Sequence, residues 1–401
     1  MTKALVDRML HGWGCSEMMS TKSGIKMEGF IEKPAENPSV RPILFIGDAR
    51  DYHAIDWYRV VKDICGTRKV LFATDLIQSE GRPKLLNHDD RVLKLYNIDW
   101  LLFRGQSSVG NFWRNAVKAL LAPLQARCVR GIAKSEPNAI LHAHTMYYMF
   151  LCWASGMTYI GTPQGSEILV RPFKSRIYRF FAIKALLAAE HVLVDSVNMQ
   201  KRIEELCGKK SHVIQFGIDV TAISRIVQVA EARRRIVSIR GLYPNYRIEE
   251  IFAARNHCRQ KPRLALFYPF SEAGYRTRVS RQLEEGDLDV GRIPTKAEMY
   301  KFLAGSLLAI SIPESDSSPR SVYEAIFCGC CVAVTYNMWI ETLPACMKAR
   351  PFMVDLGDRL WLEKAIDHAQ AVTREPYQPS EMALESFDQE RSLKRMVDSF
   401  Y

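Results

Sequence analysis

Short apolar runs of strand length alternate with amphipathic helical stretches, twice over, with one basic linker between the two series. That pattern constrains the fold more than any other feature. Strands separated by helices pair in parallel, and parallel sheets need helices over both faces. In the first series the apolar runs predict strands at 43–46, 70–73, 139–143, 157–161, 191–194 and 212–215. Helices are expected at 55–64, 111–126, 173–189 and 197–207. The face of the second of these helices is read as Trp113, Val117, Leu120, Leu121 and Leu124. In the second series strands are expected at 236–239, 264–268, 307–312 and 331–334. Its helices are expected at 247–258, 296–303, 318–327, 360–371 and 386–400. Residues 219–235 read as an irregular linker.

A chain of 401 residues exceeds one ordinary core. The expectation is α/β, with two Rossmann-like, doubly wound domains. Residues 1–40 read as an extension with a short helix near Ala4–Leu10. Residues 41–218 form the first domain and 219–385 the second, and a last helix, 386–400, packs back on the first. Ligands of open parallel sheets sit off the carboxyl ends of the strands, so the site belongs in the cleft between the domains.

Charge limits the partners. The formal net charge of +11 favours an anionic one. Between Asp99 and Glu136 there are six bases and no acid, and between Glu167 and Glu190 five bases and no acid. In the second stretch Phe173, Tyr178, Phe180 and Phe181 are interleaved with Arg171, Lys174, Arg176 and Arg179. This is the composition of an interfacial helix on an anionic membrane, or of a helix that packs its aromatics inward. Nucleic acid is not expected, since no aromatic–basic RNA motif or zinc knuckle is present. No run reaches the roughly 18–20 apolar residues of a membrane span, and residues 1–20 lack a secretory signal. The expectation is a cytoplasmic protein that can work at the inner face of the membrane. The ten cysteines are scattered. Cys328 and Cys331 have C-x-x-C spacing, but no second pair stands at zinc spacing, so they read as small buried side chains.

The segment from Pro313 to Val334 carries the most chemistry. A strand ends at Ile312, small polar residues follow, and a helix opens near Pro319, where proline suits the first turn. Ser317 or Ser318 is expected to cap it. Free amides and the helix dipole there suit a diphosphate. Glu324 lies in the second turn, where a carboxylate can accept from a ribose diol. Asp316 stands at the loop mouth, eight residues earlier.

This segment resembles the donor-binding motif of the retaining GT4 family of GT-B glycosyltransferases. There two acids flank seven residues, and the second is followed by Ala, an apolar helix, Gly and a strand. Here the first acid is Asp316, and Ser317-Ser318-Pro319 replaces the common Gly-Phe-Gly. The resemblance implies that Glu324 binds ribose, that Asp316 touches the donor sugar, and that the amides of Ser318, Pro319's neighbours Arg320 and Ser321 hold the diphosphate. The strand ending at Arg240 is similar to the one whose Arg neutralises the leaving diphosphate. Tyr246 stands where the family usually has a Lys, with Arg247 or Arg320 as substitutes. Ile293 joins the donor-side set. His144 matches a His kept against the donor sugar. Pro163-Gln-Gly165-Ser166-Glu167 resembles the family's Gly-Ser-Asp turn, with Glu for Asp, which makes Gly165, Ser166 and Glu167 acceptor-side candidates. The implied reaction is retaining, metal-free transfer of a sugar from a nucleotide diphosphate to a hydroxyl, with no cofactor beyond the donor. The implied acceptor is a glycan or lipid-linked glycan in cell-surface polysaccharide synthesis. A UDP-sugar epimerase and a non-catalytic scaffold on the same fold are the alternatives.

Other roles remain open for several residues. His142 and His144 also suit a core pair, Arg240 a structural ion pair, and Glu167 the orientation of its own turn. Asp48 and His53 follow the first strand and face the cleft, where they suit either an acceptor or the start of a helix. Asp287-Leu-Asp289 reads as surface charge and not as a metal motif.

Overall fold

In a computed structural model the described residues are 41–82, 84–105, 107–228 and 233–401. The extension and its expected short helix therefore lie outside them. The first half runs β1 (Ile43–Ile46), α1 (Tyr52–Cys65), β2 (Val70–Thr74), β3 (Val92–Lys94), α2 (Ser108–Ser135), β4 (Ile140–His144), α3 (Met146–Ser155), β5 (Ile160–Thr162), α4 (Gly165–Leu169), α5 (Arg171–Lys174), α6 (Arg176–Ala188), β6 (His191–Val194), α7 (Val197–Cys207) and β7 (His212–Val213). The second runs α8 (Val220–Val227), β8 (Arg235–Ser238), α9 (Ile248–Arg255), β9 (Leu264–Phe267), α10 (Ala273–Ser280), β10 (Leu288–Gly291), α11 (Lys296–Ala304), β11 (Ser306–Ser311), α12 (Arg320–Phe327), β12 (Cys331–Val334), β13 (Pro351–Met353), α13 (Trp361–Val372), α14 (Glu381–Phe387) and α15 (Gln389–Phe400).

All strands pair in parallel, in two sheets ordered β3-β2-β1-β4-β5-β6-β7 and β10-β9-β8-β11-β12-β13. Each order reverses once: between β1 and β4 in the first sheet, and between β8 and β11 in the second. At such a reversal the flanking loops diverge to opposite faces and leave a crevice at the carboxyl ends. The strands are apolar throughout because both faces are covered. Leu44, Ile46, Leu141 and Ala143 pack with α2, α3 and α6, while Ile43, Phe45 and Ile140 pack with α1 and α15.

Several elements differ from expectation, each for a local reason. The helix expected at 111–126 extends to Ser135, and most of its supposed core face points outward. Val117 is buried, but Leu120 and Leu124 are exposed. The inward side is set instead by Gln125, Ala126, Val129 and Ala133, and by Lys118, which pairs with buried Asp75 at 3.2 Å. The expected helix 173–189 breaks at Ser175. That residue is extended, and its hydroxyl accepts from the Tyr178 amide at 3.2 Å. Residues 157–159 are spent leaving Gly156, whose left-handed backbone (φ 70°) ends α3, so β5 begins at Ile160. The linker carries α8, capped by Asp219 and buried through Val220 and Ile223. The last helix splits at Asp388, which caps α15 and bridges to Ile218. β3, β10 and β13 are short strands at or next to sheet edges, too brief for a periodic signal.

Asp287 is not surface charge. It pairs with buried Arg255 and accepts from the Leu264 amide at 2.7 Å. Cys328, Cys330 and Cys331 are buried in the second core, and burial pushes their thiols up. Helix α15 crosses back and buries Leu393 and Met396 beside Phe45 and Trp57. It passes so close to Gly217 (φ 70°) that a Cβ there would lie 2.4 Å from the Gln389 backbone. Among the described residues no helix is long and apolar enough to cross a membrane.

Candidate functional site

The two reversal points supply the principal candidates. At β8/β11, the chain after β8 reaches Arg240 and the loop after β11 carries Asp316. Their side chains form an ion pair, and the guanidinium also donates to Ser311 Oγ at 2.6 Å. Tyr246 lies against the same guanidinium, 5.8 Å from its ring centroid. Asn337 Nδ2 donates to the Asp316 carbonyl at 2.8 Å and fixes the loop. Arg240, Arg247, Asp316, Pro319, Asn337 and Trp339 help to line a cavity of about 150 Å³. Arg247 has a left-handed backbone (φ 54°), an uncommon state for a non-glycine residue and one found where function holds the chain in strain.

At β1/β4, β4 delivers His144, and the following Thr145 also has positive φ (74°). His144 is buried, stacked on His142 at 4.6 Å and edge-on to Trp57 at 4.9 Å. Its Nε2 has no hydrogen-bond partner among the described residues. Burial, with His53 adding, holds the imidazole down at about 3. It is therefore neutral at physiological pH and acts as a hydrogen-bonding group, not as a cation. His53 opens α1 and stacks on Phe216 at 5.8 Å. It keeps solvent access, yet desolvation by the surrounding protein and then the Arg320 cation hold it at about 4. Asp48 turns to Arg50 at 2.9 Å. Burial pushes its carboxyl up, but the Arg50 guanidinium prevails and holds it low.

Glu324 belongs to a different cluster from Asp316. Its Oε1 accepts from Tyr300 Oη at 3.2 Å and lies 3.7 Å from Arg320 Nε. Burial raises its pKa, opposed by Arg320. Arg320 in turn donates to Asp56 on α1 at 2.7 Å. Asp56 also receives Lys296 at 3.1 Å and Gln389 at 3.0 Å. Three elements of the later chain thus converge on one carboxylate of the first half.

The serines do not cap α12. Its N-cap is Pro319, with no side-chain cap. Ser317 Oγ donates instead to Asp195 at 3.3 Å, and Ser318 Oγ to Gln215 at 2.8 Å. The loop after β11 is drawn toward the first sheet because Asp195 and Gln215 follow its last two strands. Of the amides expected to hold an anion, that of Arg320 is taken by the Ser318 carbonyl at 3.0 Å. Ser321 is half-buried in the first turn, and Ile293 is packed against the second core. Gly165 meets the same loop: a Cβ there would lie 2.3 Å from Ser317 Oγ. Ser166 beside it is exposed. Glu167 is buried and accepts from the amides of Met146 and Gln164 at 2.7 and 3.0 Å, tying the β4 and β5 turns together.

Sequence reasoning missed Asp56, Lys296 and Asp195 as site residues. Asp195 is buried with one oxygen unpartnered among the described residues, and burial, then Asp316, push its carboxyl up to about 7. An acid directly after the apolar run His191–Val194 was the available signal. Asp51 is similar. Burial and Asp48 raise it to about 6, and Gln164 donates to it at 2.5 Å. Among the described residues no three His, Cys, Asp or Glu side chains converge as metal ligands do.

No family model and no curated protein matches the chain significantly. Solved structures do. Anabaena HepE in complex with UDP superposes with a TM-score of 0.66 at 15% identity, over 89% of this chain and 99% of that one. Sucrose-phosphate synthase from Thermosynechococcus elongatus gives 0.68 at 13%, over 90% and 98%. A UDP-forming α,α-trehalose-phosphate synthase from Burkholderia xenovorans gives 0.63 at 11%, over 90% and 98%. The architecture is therefore GT-B: two parallel α/β sheets with the reversal points of both turned to shared contacts. At these identities the likeness is one of fold.

Proposed function

We infer that the chain is a glycosyltransferase that moves a sugar from a uridine-diphosphate sugar to a hydroxyl acceptor with retention at the anomeric carbon. The observation that carries this reading is the Arg240–Asp316 pair at the second reversal point, on the wall of a cavity shared with Arg247. Two guanidiniums there match the charge that builds on a leaving diphosphate, and fixed charges aimed at developing charge are a large source of catalysis. Asp316 is placed to accept from a sugar hydroxyl once a donor separates it from Arg240. Neutral His144 offers a hydrogen bond from the opposite sheet. The acceptor oxygen attacks from the face that the diphosphate leaves, and the departing phosphate oxygen takes its proton. No metal is required, because the arginines carry the counter-charge. The similar structures support a uridine nucleotide, since HepE holds UDP and the trehalose-phosphate synthase is UDP-forming. Membership of the GT4 family, with a glycan or lipid-linked glycan as acceptor, rests on the motif from Asp316 to Glu324. The place of work in this reading is the cytoplasm.

Calorimetric titration with UDP, GDP, ADP and CMP, with and without magnesium, tests the reading. Metal-independent binding of UDP, weakened in both Arg240→Ala and Glu324→Ala, is expected. Failure to bind any of the four nucleotides sinks it and leaves a non-catalytic scaffold on this fold.

A further inference from the structure

The first sheet carries an outward layer that the transfer reaction does not use. Helix α3 packs between α2 and α6 on one face of the sheet. The outer sides of the two flanking helices are apolar where a solvated helix is polar. On α2, Phe112 is 76% and Leu120 80% exposed, and on α6, Ile177 is 72% exposed. Trp113, Phe173 and Phe180 stand open beside them. Trp113, Leu120 and Leu124 follow helical spacing along one stripe with Phe112 at its flank, and Ile177, Phe180, Phe181 and Lys184 form a second. An aromatic cluster of Phe150, Trp153 and Phe181, with Phe150 and Phe181 5.2 Å apart, joins α3 to α6. Apolar exposure on this scale marks an interaction surface.

Charge selects the occupant. Helix α3 has no charged residue, and the flanking segments, 100–135 and 168–189, contain eleven bases and no acid. Some of these bases turn inward: Lys118 to Asp75 and Arg114 to Glu80. Arg127, Arg176, Arg179 and Lys184 are exposed on the outer layer, and Lys184 Nζ lies 5.8 Å from the Phe180 ring. A surface that is apolar and uniformly basic fits a partner with an anionic rim over an apolar interior. A bilayer with acidic headgroups is that partner.

We propose that the α2–α3–α6 layer is a docking surface for an anionic bilayer, with Phe112, Leu120, Ile177 and Phe180 entering the headgroup boundary and the bases above them meeting lipid phosphates. Both flanking helices begin on the carboxyl side of the first sheet, the side that carries His144 and Gly165. Docking therefore holds the acceptor side of the cleft beside the membrane. The inference stands apart from sugar transfer, and its test uses no donor.

The test is co-sedimentation of the full chain with vesicles of phosphatidylcholine alone and of phosphatidylcholine mixed with phosphatidylglycerol. Binding to the mixed vesicles only, weakened by salt, is expected. The triple variant Arg176→Glu, Arg179→Glu, Lys184→Glu is expected to lower partitioning on the order of 100-fold. The variant Phe112→Ser, Ile177→Ser, Phe180→Ser is expected to lose the salt-resistant part. All six positions are exposed, so unchanged thermal melts are expected to accompany these losses. Wild-type protein that stays in solution with the mixed vesicles overturns the proposal. So does unaltered binding by both variants, or a self-association abolished by the serine variant, which would assign the face to a second copy.

Discussion

Asp56 Oδ2 lies 2.7 Å from Arg320 Nη1, joining residues 264 positions apart across the two sheets. The pair has two consequences. It ties α1 to α12, the helix after the loop that carries Asp316. It also occupies a cation within one turn of where a diphosphate would lie.

Asp56→Asn therefore separates these roles. Loss of the carboxylate leaves Arg320 and Lys296 without their shared counter-charge. Thermal stability is expected to fall by about 2 kcal/mol, below the roughly 3–5 kcal/mol of a fully buried pair, because both side chains keep some solvent contact. UDP affinity, read by calorimetry, is expected to rise several-fold as Arg320 becomes available to the nucleotide. Unchanged affinity would show that Arg320 serves the tie alone.

Gly165 approaches Ser317 too closely for any side chain. Gly165→Ala is expected to cost about 1–3 kcal/mol by overpacking and to weaken nucleotide binding by displacing the donor-side loop. Adding Ser317→Gly removes the clashing atoms and is expected to restore most of the melting temperature. A double variant no more stable than Gly165→Ala would place the strain elsewhere.

Asp195 gives a pH dependence of defined sign. The unfolded carboxyl titrates near 3.8 and the folded one near 7, because burial and the neighbouring Asp316 disfavour its charge. Between those values the folded protein holds the extra proton. Its stability therefore falls as pH rises through that window and levels above it. Asp195→Asn cannot ionise, and its stability is expected to exceed that of the wild type by on the order of 2 kcal/mol near pH 8. Asp51 shifts the same way in both proteins and cancels in the comparison. Urea unfolding across the window measures the difference, which should vanish near pH 4.

Arg240 is the most exacting test of the reaction. Arg240→Ala removes charge-assisted hydrogen bonds and is expected to weaken UDP binding about 10–100-fold. Tyr246→Phe keeps the ring beside the guanidinium and is expected to bind normally, whereas Tyr246→Ala is expected to lose a few-fold. Equal binding by Arg240→Ala and wild type would move the diphosphate away from this wall.

Much of this site was legible because chain order encodes it. A strand, a small-residue loop and a helix bring Asp316 and Glu324 to a predictable edge, whereas Arg240 and His144 were singled out only by the family resemblance. The partners across the sheets were not legible. Asp56 meets Arg320, Lys296 and Gln389 only through the packing of two sheets, and nothing near Asp56 in sequence announces three cations or amides. Periodicity misled at α2. It finds an apolar stripe without saying which way the stripe faces, and the inward direction was set by Lys118 and Gln125, whose buried partners lie elsewhere. Ser317 and Ser318 have the local chemistry of caps, but acceptors from the first sheet outcompeted the helix amides.

The return of α15 has a consequence for how the molecule is made. Leu393 and Met396 complete a core whose strands end at Val213. At about 5–20 residues per second, a ribosome delivers the last helix roughly 10–40 s after those strands. Throughout that interval the nascent first sheet has an apolar groove beside Phe45 and Trp57 that nothing yet fills. Its closure waits on α15, so the first sheet is completed only after the strands of the second have been made.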